Sequence, residues 1–349
     1  MGWQTDAFVT FINFVSNNIE LIETLFLSSV VVYIENKTRK GFKLRKDYES
    51  KDVILYLPPE INKNFDSIRK DKLNSRFKDD ILQFGRILET NFDREYLQNF
   101  YNNINYLNIY RKDEGFKDFF LNHQRNTGMY FSNNKIELSK RSSKSVLFHE
   151  LLHLSSSNRR NGVTYIGFNQ ISKDYGDYGR GINEGYTEYL NRKYFSPKSM
   201  TANYYDYLSD ISGILESIIG ENLMHKFYFK SDLLSLYHEL SKYVGELMSA
   251  EFIKHTDYVY KFFHKKDTFM QWDLINNSLK EINRILINAY INKLKNESLS
   301  EEEFNININQ FLVNIPQTFY SGNKTYYIND EVDFNDMVNE IRSNNERSI

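Results

Sequence analysis

The segment Val146-Leu147-Phe148-His149-Glu150-Leu151-Leu152-His153-Leu154 constrains this chain more than any other. Free of Gly and Pro and rich in Leu, it reads as a helix with almost no polar face. Residues four apart lie one turn on and about 40° round, so His149 and His153 project from one face toward one point. Two imidazoles placed this way can bind a single metal ion, while Glu150 beside them is set to reach a water at the ion rather than the ion itself. Leu147, Leu151, Leu152 and Leu154 occupy the other faces, which predicts burial nearly all round. Two His and a Glu on a buried helix need compensation, and a bound cation supplies it.

A second stretch, Gly181-Ile182-Asn183-Glu184-Gly185-Tyr186-Thr187-Glu188-Tyr189-Leu190, lies far enough downstream for a loop and a return helix. A catalytic zinc takes three protein ligands and keeps one position open, and two His with one carboxylate is a common set. Glu184 can be that carboxylate. Glu188, one turn on, shares its face and can accept the free ring N–H of a ligating His, which fixes the tautomer and the ring orientation.

Together, His149-Glu150-Leu151-Leu152-His153 and Asn183-Glu184-Gly185-Tyr186-Thr187-Glu188 resemble the gluzincin metallopeptidases, the thermolysin-like clan in which a glutamate on a second helix completes the zinc site. The resemblance implies Zn2+ as cofactor and a peptide or protein as substrate. It implies His149, His153 and Glu184 as the zinc ligands and Glu150 as the general base. Glu188 and Asn183 then belong to the family's Asn-Glu-x-x-Ser/Thr-Asp/Glu pattern as supporting residues. In several gluzincins a tyrosine near the site stabilises the oxyanion; Tyr175 and Tyr178, just upstream of the second motif, are the candidates here. The lobe after the glutamate helix offers His225, His238, His255 and His264 for the same role. The metzincin pattern, which needs a Gly and a third His after the first motif, fails at Ser156 and Arg159. The resemblance covers about 60 residues, and the interval between the motifs is longer than in thermolysin. The function it implies is zinc-dependent peptide-bond hydrolysis. The alternatives are a zincin restricted to one target and an inactive one that keeps a structural zinc as a binding or regulatory protein.

Composition narrows the remaining classes. With 44 basic and 46 acidic residues the net charge is −2, so nothing in the bulk electrostatics points to nucleic acid or an anionic membrane. The absence of cysteine removes disulfides, thiolate metal sites and a cysteine nucleophile. The basic cluster from Lys37 to Lys46 reads as a solvated hairpin turn around Gly41. The apolar run Phe8–Ile34 is interrupted by Asn13, Asn17, Asn18, Glu20 and Glu23, and its cleanest part, Leu25–Ile34, is too short to span a bilayer. No secretory signal is evident at the N-terminus, so a cytoplasmic location without membrane attachment is the expectation.

Along the chain, helical spacing runs over 7–28, 61–90 and 93–103, and strand patterns fall at 30–34, 53–57 and 106–110. Gly128–Phe131, a turn at Asn133-Asn134, and Ile136–Leu138 form a hairpin leading into the motif helix. Ser142, Ser143 and Ser145 are its N-cap candidates, and Ser155 to Asn158 end it. A short strand or loop at 163–168 precedes Gly176, Gly179, Gly181 and Gly185, which are expected to let the backbone pass close to metal and substrate. From Tyr205 to Ile291 the pattern is helical with breaks at Gly220 and Ser231. The tail, 296–349, is polar with a hairpin near Tyr320–Asn323. The expected architecture is α+β: an N-terminal α/β region (1–125), a zincin-like mixed-sheet core with the two motif helices (126–200), and a mostly helical C-terminal lobe with a polar tail (201–349).

Overall fold

Ahead of the motif the chain builds a three-stranded sheet, β1 (Asn108–Lys112), β2 (Gly128–Phe131) and β3 (Lys135–Ser139), in the order β1-β3-β2. β2 and β3 form the antiparallel hairpin expected from the sequence, with Tyr130 opposite Ile136, while β1 runs parallel to β3. Ile136 and Leu138 are buried and alternate with half-buried Lys135, Glu137 and Ser139, so one face of β3 meets the core. Against the motif helix lie α1 (Lys78–Asn91) and α2 (Gln98–Asn103). Phe84 of α1 stacks on Phe195 at 4.7 Å and tilts against Phe148 of the motif helix at 5.5 Å.

These statements come from a computed structural model that describes residues 68, 73, 76–112, 128–140, 142–160, 163–172, 176–196, 204–264, 272–297, 299–321, 324–328 and 331–346. All belong to one unit of the chain, Pro58–Ile349. The expected helix at 7–28, the strands at 30–34 and 53–57, the Lys37–Lys46 cluster and Tyr175 lie outside them. The helical spacing over 61–90 is realised as helix from Lys78 onward; Ile68 and Leu73, though buried, sit in bends.

The motif helix α3 (Lys144–Ser155) starts where Ser143 Oγ accepts the Val146 N–H at 3.4 Å. The interval to the second motif, read from sequence as a short strand or loop, is a four-stranded antiparallel meander. Its strands are β4 (Ser157–Arg160), β5 (Val163–Ile166), β6 (Asn169–Ser172) and β7 (Gly176–Tyr178). It delivers the chain to α4 (Arg180–Leu190), which carries the second motif and widens into one π-helical turn at Asn191–Phe195.

The C-terminal part is helical: α5 (Tyr204–Ile219), α6 (Glu221–Phe229), α7 (Leu233–His264), α8 (Trp272–Lys295), α9 (Glu301–Asn314) and α10 (Glu331–Glu346). The breaks at Gly220 and Ser231 fall where expected, and a further one occurs inside α7 at Gly245, with φ of 79°. The polar tail holds the hairpin β8 (Thr318–Ser321) and β9 (Lys324–Tyr327) and also two helices, α9 being opened by a Ser300/Glu303 capping box. The chain is therefore α+β, with small sheets and a helical C-terminal part. Among the described residues no helix is long and apolar enough to cross a membrane.

α4 packs against α5 and α7 at backbone distance. A Cβ on Gly181 would lie 2.0 Å from the Thr256 carbonyl oxygen, and one on Gly185 would lie 2.4 Å from that of Leu208. These glycines admit the C-terminal helices rather than metal or substrate, which corrects the sequence-based expectation for that run. Gly179 gives α4 no side-chain cap; the buried Asp257 of α7 caps it instead, Oδ2 accepting from Gly179 N–H at 2.9 Å and Oδ1 from Gly181 N–H at 2.8 Å. Burial pushes the Asp257 carboxyl up to about 6, although both N–H groups and the charge of Lys261 pull the other way.

The folded protein thus holds the Asp257 proton more tightly than the unfolded chain, whose aspartates titrate near 3.8. This group's contribution to stability is full below that value and falls as pH rises to about 6. Asp257→Ala strips two buried N–H groups of their acceptor and should cost about 1–2 kcal/mol at pH 7 and more at pH 5. Urea unfolding of both proteins at the two pH values reads this directly; an equal loss at both would contradict it.

Candidate metal centre

Every residue of α3 from Leu147 to Ser155 is buried, so His149, Glu150 and His153 stand in the interior at 6–7 % exposure. α4 faces them with Glu184. The Nε2 atoms of His149 and His153 are 3.2 Å apart, and Oε2 of Glu184 lies 3.5 Å from the first and 3.4 Å from the second. Ligands at the usual ~2.0–2.1 Å of a tetrahedral zinc stand roughly 3.3 Å from one another. The triangle therefore fits such an ion, and the donor types suit it. Among the described residues these three donors form the group, with Glu150 beside it and not in it.

The opposite ring nitrogens are held by neighbours on α4. His149 Nδ1 meets Oε2 of the fully buried Glu188 at 3.0 Å. Oε1 of Glu188 accepts from Arg192 Nε at 2.7 Å, and Arg192 reaches on to Asp206 at the start of α5. Around His153 Nδ1 stand Thr187 Oγ1 at 3.5 Å and Asn183 Nδ2 at 3.4 Å. Thr187 donates to the Asn183 carbonyl at 2.7 Å and faces the Tyr228 hydroxyl at 2.7 Å, which leaves its oxygen to accept from His153. Asn183 Oδ1 in turn accepts the Phe168 N–H at 3.1 Å, tying α4 to the meander. With both Nδ1 atoms occupied by α4, the two Nε2 atoms face the triangle.

Electrostatics follows from this crowding. Burial alone would depress the His149 imidazolium, but hydrogen bonds to Glu184 and Glu188 and the charge of Glu150 outweigh it and raise its pKa to about 10. Burial works on Glu184 in the opposite sense and is overcome by His153 and His149, which hold it well below the usual carboxylate range. Glu150 is raised, chiefly by burial and also by Glu184, against the two histidines and the Tyr130 N–H. That N–H belongs to β2, which crosses so near that a Cβ on Gly128 would lie 2.9 Å from Glu150 Oε1.

The structure thus brings together His149, Glu150, His153, Asn183, Glu184 and Glu188. Tyr178 stands half-buried in β7 opposite Gln170, in the strand leading into α4. Of the histidines considered for the oxyanion, His225 packs edge-on to Phe92 and Tyr194, and His255 Nδ1 meets Ser278 Oγ at 3.1 Å. Thr187 fills the Ser/Thr position of the second motif, which assigns it no separate role; the motifs do not single out Arg192, Tyr205, Tyr228 or Asp257. Arg192 is legible in retrospect, being four residues past Glu188 on the same face. Tyr205, whose ring lies 5.7 Å from that of His149, comes from the start of α5 and carries no local signal.

A second group, Glu216, Glu221 and His225, also has metal-ligand chemistry. Lys193 already bridges its carboxylates at 2.7 and 2.8 Å, and Tyr186 and Tyr189 donate to Glu216 at 2.6 and 2.8 Å. An ammonium fills the place of a cation there. No protein-family model matches the sequence, and comparison with curated proteins and with solved structures returns no match.

Purified protein supplied with zinc should carry about one ion per chain in the first group, and Glu184→Ala should weaken binding by a factor of about 100 or more, read by elemental analysis and chelator competition. A His149 pKa near 10 means that the metal-free protein is protonated there at neutral pH. Zinc must displace that proton, so its apparent affinity should rise up to about tenfold per pH unit between pH 6 and 9. Calorimetry in buffers of different ionisation enthalpy should count about one proton released; none would contradict the assignment.

Proposed function

We propose that this protein is a zinc-dependent peptidase of gluzincin type. The observation that carries the reading is the donor triangle with a buried carboxylate, Glu150, beside it and outside it. When bound, zinc would supply Lewis acidity, lowering the pKa of a water and polarising a substrate carbonyl. His149, His153 and Glu184 would hold it, with Glu188 and Thr187 orienting the two rings.

Glu150 acts as the proton carrier. Its raised pKa brings it nearer to neutrality than an ordinary glutamate, which suits a group that first accepts a proton from the attacking water and then returns it to the leaving amine. Its enclosure by β2 and by the leucines of α3 keeps competing water out. Tyr205, whose ring lies 5.7 Å from that of His149, is our candidate for a donor to charge developing on the carbonyl oxygen.

β2 is an edge strand, paired with β3 and, among the described residues, with no second strand beside it. An extended peptide added to that edge would run past Glu150, and main-chain hydrogen bonds would align it with little demand on sequence. A protein that kept zinc only as a structural clamp would have no use for Glu150 at this position. Structural zinc also takes four protein ligands, whereas three donors meet here among the described residues.

Glu150→Gln keeps the shape and removes the base. The variant should retain stoichiometric zinc while turnover of a responsive peptide falls at least about 100-fold. Loss of zinc in the variant, or undiminished hydrolysis, would sink the role given to Glu150. A wild type that cuts nothing in a broad peptide and protein panel, yet unfolds when zinc is removed, would favour the clamp.

A further inference from the structure

α4 carries a third charged residue on the face that bears Glu184 and Glu188. Arg180, Glu184 and Glu188 are spaced i, i+4 and i+8 and lie one above the other. Their side chains are 40 %, 12 % and 0 % exposed. The stripe therefore runs from a part-exposed end at Arg180 to a sealed one at Glu188, with Glu184 between them. Glu184 and Tyr205 are near enough to act on the Arg180 charge.

The guanidinium is oriented but little used. Its Cζ sits 4.8 Å over the Tyr260 ring, which fixes the plane of the fork. Its hydrogen-bond partner among the described residues is Asp177, through Nη1 at 3.2 Å. That pair is part-exposed and weak. A guanidinium has five N–H donors, so among the described residues Nε and Nη2 stay available, with the carboxylates of Asp177 and Glu184 near enough to act on the charge.

We propose that Arg180 is a specificity residue that binds a substrate carboxylate close to the scissile bond. This rests on the peptidase reading above and deepens it. The planar fork matches a carboxylate in two-point contact. Asp177 and Glu184 nearby work against more highly charged anions such as phosphate. The carboxylate can be the C-terminus of the substrate, making the enzyme an exopeptidase, or an Asp or Glu side chain within it.

The test uses the zinc-loaded full chain and two series of hydroxamates of increasing chain length, one ending in a methyl group and one in a carboxylate. Calorimetric affinities should show one length at which the carboxylate compound binds wild type about tenfold or more tighter than its methyl partner. Arg180→Gln, checked for zinc content and melting, should bring that ratio near one, and Arg180→Lys should leave it intermediate. Matched peptides with free or amidated C-termini, and with internal Glu or Gln, then identify the source of the carboxylate by their kcat/KM ratios. A ratio near one at every length in wild type, or an unchanged ratio in Arg180→Gln, overturns the proposal and leaves the metal site standing. Failure of a zinc-bearing wild type to bind any hydroxamate overturns the peptidase reading and this proposal with it.

Discussion

Three carboxylates and two imidazoles share the interior between α3 and α4, and Arg192 reaches in from the side to pair with Glu188. Anions without partners are not tolerated in such surroundings. The metal-free protein must therefore hold protons there, on His149 with its pKa near 10 and in the upward shift of Glu150. A dication at the triangle relieves the same imbalance without them. The leucines that seal α3 on its other faces keep water from screening the charges, so the burial seen in the sequence and the demand for a cation are one constraint.

Glu184 meets the two histidines because α4 is fixed from three directions. The meander holds it through Phe168 and Asn183. The C-terminal helices hold it through Asp257 and the bare backbone at Gly181 and Gly185. The π-helical turn fixes its far end, sending Arg192 toward Glu188 and Asp206 and the next residue, Lys193, toward Glu216 and Glu221. α4 thus belongs to the pair of motifs by sequence and to the helical lobe by packing.

What the sequence made legible was local. His149 and His153 on one face, Ser143 as a cap, the hairpin before α3 and the shared face of Glu184 and Glu188 all follow from helical or strand periods within a dozen residues. The meander was not legible as a sheet, because strands of three or four residues such as Gly176-Asp177-Tyr178 carry no alternation to read. α9 and α10 were hidden by polarity, although Ser300 and Glu303 spelled a capping box. Asp257 and Tyr205 reach the site from helices whose own patterns say only that one side is buried, and no period links them to α4. Gly181 and Gly185 were legible as close approaches, but what approaches them was not.

The way the ligands are anchored also bears on what kind of site this is. In a structural zinc centre, ligation itself supplies much of the folding free energy, and the site rarely exists without the ion. Here the fixing contacts use other atoms: Glu188 on His149 Nδ1, Thr187 near His153 Nδ1, Asp257 on the first turn of α4. The metal-facing atoms, two Nε2 and one Oε2, are left to each other. A centre assembled by bonds remote from the metal keeps its geometry while a ligand position stays open. That suits the peptidase proposed above, in which substrate and water exchange at the open position, and Glu150 beside the triangle suits the same proposal from the proton's side.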